Sequence, residues 1–152
     1  MLDQGEKAPS FSLQDSEGKA HSLENYQGKT IVLYFYPKDD TPGCTKEACS
    51  FRDNYAAFKE AGIEIIGISP DTVASHQKFS EKYDLPFTLL ADPDHKVCEA
   101  YEVWGKKKSF GREYEGVFRT TFIIGPDGTI KQVFENVKPS EHSQEVLAEI
   151  EG

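Results

Sequence analysis

Continuous apolar runs alternate along this chain with stretches of helical period. Thr30–Tyr36 (TIVLYFY) is rich in β-branched and aromatic residues, and its lack of polar alternation predicts a strand buried on both faces. Ile63–Ser69 (IEIIGIS) reads the same way, and Thr88–Ala91 predicts a shorter strand. Between these runs the pattern predicts a helix from about Cys44 to Ala61, ended by Gly62. A second helix, capped by Asp71, runs to about Tyr83, and a third spans about Asp94 to Tyr101. Val117–Ile124 and Thr129–Glu135 flank Gly125-Pro126-Asp127-Gly128, a hairpin signal, and a last helix covers about Ser140 to Ile150. Phe11–Leu13 and Lys19–His21 predict a small hairpin at the start of the chain. The Gly- and Lys-rich stretch Val103–Gly116 predicts a long exposed excursion.

Strand–helix–strand units followed by an antiparallel hairpin and a closing helix predict an α/β architecture. The expected fold is thioredoxin-like: a mixed β-sheet flanked by helices, with an N-terminal β-hairpin extension. At 152 residues the expectation is a single domain spanning residues 1–152.

Composition narrows the function classes. A formal net charge of −9 argues against nucleic acid, whose phosphates require clustered Lys and Arg. The one basic run, Lys106-Lys107-Lys108, is short and reads as a solvated loop. The opening residues lack the apolar core of a signal peptide, and the apolar runs are strand-sized, so no membrane span is expected. Three cysteines fit poorly with a secreted disulfide framework, so the expected compartment is the reducing cytoplasm.

The candidate chemistry lies in the first long helix. Ala48, Phe51, Tyr55 and Phe58 define its core face, and at ~100° per residue Cys44 falls near the middle of that face, at the helix start. Cys49 falls ~140° away, on the side of Arg52 and Lys59. Helix N-termini favour anions, because backbone N–H groups there lack partners. An ordinary thiol titrates near ~8.5 and is only about 3% thiolate at pH 7. Bringing a thiol to ~6 takes about 3.4 kcal/mol, whereas a helix end supplies at most ~2. The rest must come from hydrogen bonds and a cation.

Thr41 can bring a hydroxyl to the sulfur or to a bound oxygen, while Pro37, Pro42 and Gly43 shape the loop. Arg119 interrupts VFRTTFIIG, where an unpaired charge would be costly. It is either the cation for a thiolate or a structural partner of an acidic residue. Spacing adds a constraint on the cysteine pair. At i and i+5 on an intact helix the Cα atoms lie about 8–9 Å apart, beyond the ~7 Å limit for a disulfide. Any Cys44–Cys49 bridge therefore requires local unwinding. The alternatives are cysteines as buried filler, or zinc, for which C-x4-C lacks a second suitably spaced pair. Cys98 and Trp104 read as packing and His142 as a surface residue, while Glu47, between the two cysteines, either modulates the site or is a helix-surface carboxylate.

The segment Pro37-Lys-Asp-Asp-Thr41-Pro-Gly-Cys44-Thr-Lys-Glu-Ala-Cys49 resembles the peroxiredoxin active-site motif P-x-x-x-T-x-x-C. The second cysteine five residues on resembles the bacterioferritin comigratory protein, or peroxiredoxin Q, branch. Gly5–Leu13, Val32–Pro37, Val103–Gly105 and Arg119–Ile124 extend the likeness over nearly the whole chain. The resemblance implies a thiol-dependent peroxidase for hydrogen peroxide and organic hydroperoxides, with Cys44 attacking the peroxide. Pro37, Thr41 and Arg119 match the family's other active-site positions, and Cys49 matches the resolving cysteine of many members. It implies recycling by thioredoxin or a similar dithiol, no cofactor or metal, and a monomer. A general thiol–disulfide oxidoreductase and a peroxide-responsive sensor or adaptor are the competing functions. The first is disfavoured by the absence of C-x-x-C.

Overall fold

The apolar run at residues 30–36 becomes the strand around which the rest is arranged. The computed structural model describes residues 2–135 and 137–151. Its strands are β1 (Ser12–Asp15), β2 (Ala20–Ser22), β3 (Thr30–Phe35), β4 (Ile63–Ser69), β5 (Thr88–Ala91), β6 (Trp104–Ser109), β7 (Arg112–Val117), β8 (Thr120–Ile124) and β9 (Ile130–Glu135). The helices are α1 (Pro42–Asp53), α2 (Tyr55–Glu60), α3 (Val73–Tyr83), α4 (Lys96–Ala100) and α5 (His142–Glu151). Seven strands form one mixed sheet in the order β2-β1-β5-β4-β3-β8-β9. Strands β3, β4 and β5 are parallel, while β1, β8 and β9 pair antiparallel. This is the expected thioredoxin-like α/β sheet with an added N-terminal hairpin.

The period-2 alternation of β3 divides the core. Ile31, Leu33 and Phe35 pack with Phe11, Tyr101 and Phe122 on one face. Val32, Tyr34 and Tyr36 pack with Cys44, Ala48, Phe51 and Phe58 on the other. The predicted core face of the cysteine helix is the face that docks. Fully burying one such aromatic contributes about 1.5–3 kcal/mol, so Phe51 is a main anchor of α1.

Four departures from the predicted elements have physical causes. The helix expected over residues 44–61 is broken at Asn54 (φ −106°, ψ 10°), whose side chain donates to the Ser50 carbonyl at 3.1 Å. Thr72, not Asp71, caps α3, its hydroxyl accepting from Ser75 N at 3.1 Å. The excursion at 103–116 is a β-hairpin in register from Trp104↔Val117 to Ser109↔Arg112, with Phe110 and Gly111 at positive φ in its turn. The Lys run is therefore strand, not loop. Finally, the apolar run from Val117 to Ile124 is two strands, and Phe118 and Arg119 lie between β7 and β8. The charge that interrupts the run sits where the ladder is interrupted. Among the described residues, no helix is long and apolar enough to cross a membrane.

Candidate active site

The site forms where the parallel strand β3 runs out and α1 begins. Two aspartates hold the connecting loop. The Asp39 carboxylate accepts from Tyr36 Oη at 2.6 Å and Ser75 Oγ at 2.8 Å, and lies 2.7 Å from His76 Nδ1. Its backbone N–H donates to Asp71 at 2.8 Å, which accounts for Asp71 not serving as a cap. Asp40, at φ 56°, accepts from Lys82 Nζ at 2.8 Å and Tyr83 Oη at 3.0 Å. The loop is thus tied to α3 on both sides before the chain turns into α1.

Thr41 is the N-cap of α1 in extended conformation, with Pro42 in the first turn. Its hydroxyl donates to the Lys38 carbonyl at 2.9 Å, and no side-chain hydrogen bond caps the helix. That leaves the first-turn N–H groups facing the neighbourhood of Cys44, the third helical residue. Cys44 is 2% exposed, and Arg119 Nη2 donates to its sulfur at 3.2 Å. A Cβ on Gly43 would come within 3.1 Å of that same Nη2, so the absence of a side chain there lets the guanidinium reach the thiol. Pro37 is half-buried at the start of the loop and offers a fixed φ rather than a donor.

Glu47 completes the arrangement, one turn beyond Cys44. It is fully buried, not on the helix surface, and accepts from Arg119 Nη1 at 2.6 Å. Burial drives its carboxyl up to about 7 against the pull of Arg119. Burial works against the guanidinium too, but Glu47 and Cys44 outweigh it and hold Arg119 above its ordinary value. Arg119 thus touches both a carboxylate and the thiol, and the acidic residue weighed as its partner is Glu47. Among the described residues, neither Glu47 Oε2 nor the buried Tyr34 hydroxyl beside this cluster has a hydrogen-bond partner. The sequence left Glu47 open between a role at the site and a helix-surface carboxylate, because its partner is 72 residues away. Only its i+3 spacing from Cys44, on the buried face, was available as a signal.

Cys49 is half-buried and unbridged, as are Cys44 and Cys98. Its charge neighbour is Arg52, matching the polar face expected for it. Cys98 is fully buried against Asp92. His142 is a correction to the expected surface residue. It is 1% exposed, packs edge-on against Phe51 and Phe134, and lies 2.6 Å from Thr121 Oγ1. Burial, with Arg119 adding to it, lowers its imidazole to about 4.

A buried thiol at a helix start, bonded by an arginine that is itself held by a buried carboxylate, is thus set on a thioredoxin-like sheet. The AhpC/TSA family model matches residues 4–133, and the chain belongs to that family of peroxiredoxins. It is 49% identical to peroxiredoxin Bcp of Bacillus subtilis over 146 residues, 96% of this chain and 93% of the relative. Escherichia coli peroxiredoxin Bcp is 47% identical, over 96% of this chain and 94% of its own length. A structure from a study of alkyl peroxide reduction by Xanthomonas campestris bacterioferritin comigratory protein superposes with a TM-score of 0.88. It is 38% identical and covers 93% of this chain and 90% of its own. This chain is a thiol-dependent peroxidase of the bacterioferritin comigratory protein branch.

Proposed function

We propose that Cys44 is the attacking thiolate and that Pro37, Thr41 and Arg119 form the site in which it meets the peroxide. The observation that carries this reading is the 3.2 Å hydrogen bond from Arg119 Nη2 to Cys44 Sγ. The thiolate sulfur takes one peroxide oxygen, the O–O bond breaks, and the products are a cysteine sulfenic acid and an alkoxide or hydroxide, which takes up a proton. Arg119 stabilises the negative charge first on sulfur and then on the departing oxygen. Thr41, its hydroxyl proton engaged by Lys38, offers lone pairs to the peroxide O–H. Pro37 holds the loop.

Cys49 then condenses with the sulfenic acid, releasing water and forming an intramolecular disulfide. On intact α1 that bond cannot close, so resolution follows melting of the first turns. A thioredoxin-like dithiol in the reducing cytoplasm returns the disulfide to two thiols. Both cysteines lie in one helix of one chain, so the cycle is complete in a monomer. The substrates include organic hydroperoxides, which the alkyl peroxide activity described for the Xanthomonas relative supports.

The test is a mass-mapped disulfide after one equivalent of peroxide. A Cys44–Cys49 link is expected, whereas a Cys44–Cys98 or intermolecular link would remove Cys49 from the scheme.

A further inference from the structure

Among the described residues the β6–β7 hairpin pairs with no strand of the main sheet, yet it is built onto the segment that carries Arg119. Its register sets Gly105 opposite Gly116. A Cβ on Gly105 would fall 2.8 Å from the Phe118 ring, and one on Gly116 would fall 3.3 Å from Lys107 Cδ. The paired glycines clear a path for one ring and one lysine stem. Along that path the Lys107 ammonium donates to the Val117 carbonyl at 2.7 Å and sits 5.7 Å over the Phe118 ring. Its neighbours Lys106 and Lys108 point to solvent, and Lys108 pairs with Glu113 at 3.9 Å.

A packing peg does not need this charge. Half-burying an ammonium costs free energy, and Lys107 also lies within the field of a second cation, Arg119. A methionine stem would fill the same groove at no such cost. The Val117 carbonyl and the face of Phe118 repay part of that cost, and among the charged neighbours it is Cys44 that favours the ammonium.

We propose that Lys107 is a positioning residue of the peroxidase site: it fixes the Val117–Phe118 segment from which Arg119 projects and adds a second positive charge to the field at Cys44. This rests on Cys44 being the attacking residue. Its part in the reaction is to favour thiolate over thiol and to favour charge on the departing oxygen, without touching either.

The test follows alkylation of Cys44 by iodoacetamide against pH in the reduced full-length protein, read on the Cys44 peptide by mass spectrometry. Lys107→Met is expected to raise the midpoint by about half to one pH unit, which slows alkylation about three- to tenfold below the midpoint. Lys107→Arg is expected to keep the native profile, as is Lys108→Met. An unmoved midpoint in Lys107→Met, or an equal shift in Lys108→Met, overturns the proposal. So does a Lys107→Arg profile that matches Lys107→Met, because then shape and not charge matters. Should Lys107→Met loosen the fold by circular dichroism, Lys107→Gln, which keeps a donor for the Val117 carbonyl, is read in the same way. A Cys44→Ser variant that kept turnover would instead overturn the attacking role of Cys44, and the alkylation profile would still report on Lys107.

Discussion

Cys44 and Cys98 occupy the same kind of place in opposite electrostatic surroundings. Each is the third residue of a helix that follows a buried parallel strand, and each side chain is shut off from solvent. At Cys98 the buried Asp92 carboxylate accepts the N–H groups of Val97 at 3.3 Å and Cys98 at 2.8 Å. The anion that a helix start favours is already there, and it is a carboxylate. Burial first, and then the charge of Asp92, push the Cys98 thiol far above its ordinary range. At Cys44 no side chain of the described residues caps the helix, no acidic residue lies in its first turn, and the charged group at the junction is a guanidinium that donates to the sulfur. A helix start and a thiol do not make a reactive cysteine. What differs between the two junctions is the sign of the charged group beside the thiol.

The largest effect expected from this contrast is loss of turnover. Cys44→Ser should abolish peroxide-driven oxidation of a dithiol donor, while Cys98→Ser should stay within about twofold of the parent, because a thiol facing a carboxylate is not a nucleophile. Comparable losses in both variants would erase the distinction. Replacing the cation comes next. Arg119→Met should lower kcat/KM about 10²- to 10³-fold, in line with removal of a donor aimed at developing negative charge. Steady-state rates across peroxide concentrations measure it, and a loss below about tenfold would leave the helix start as the main activator.

The third prediction concerns stability against pH. Glu47 titrates near 7 when folded and near 4.5 when unfolded, so its contribution is full below about pH 4.5 and is lost as pH rises to about 7. His142 titrates near 4 when folded and near 6.5 when unfolded, so its contribution is full above about pH 6.5 and is lost as pH falls to about 4. Each amounts to at most about 3.4 kcal/mol, and the two slopes oppose each other between those limits. Urea unfolding of Glu47→Gln should therefore show stability rising with pH across that window, where the parent is nearly flat. A parallel pair of curves would mean that the Glu47 carboxyl is not perturbed by burial. The smallest effect belongs to the silent junction. Asp92→Asn keeps one acceptor for two N–H groups and should cost about 1–2 kcal/mol in stability without changing turnover. A gain in Cys98 alkylation there would show how far the carboxylate alone suppresses that thiol.

Much of this was legible along the chain, and the reason differs from element to element. Strands β3, β4 and β5 announced themselves because burial on both faces leaves unbroken apolar runs. Cys44 could be placed on the core face because Ala48, Phe51 and Phe58 keep the helical period. Arg119 was visible as an anomaly, a charge inside an apolar stretch, although not what it would touch. The β6–β7 hairpin was hidden because its residues are largely polar, and its visible ties are cross-strand ones such as Trp104 Nε1 to Glu115 at 3.1 Å. Glu47 was left open and His142 misplaced for one shared reason. A helix of mixed composition does not reveal which polar residue faces inward until its partner, Arg119 or Thr121, is brought in by the sheet.

The break at Asn54 bears on how much of the fold a catalytic cycle disturbs. An uninterrupted helix over residues 44–61 would melt as one cooperative body, taking Phe58 and its packing against the sheet with it. With the ladder cut at Asn54, the twelve-residue α1 can open while α2 remains docked. The seam works as a firebreak. Amide exchange in the oxidised protein would then show a protected Tyr55–Glu60 segment beside a rapidly exchanging stretch from 42 to 53, and the reopened helix would have a standing end from which to wind again.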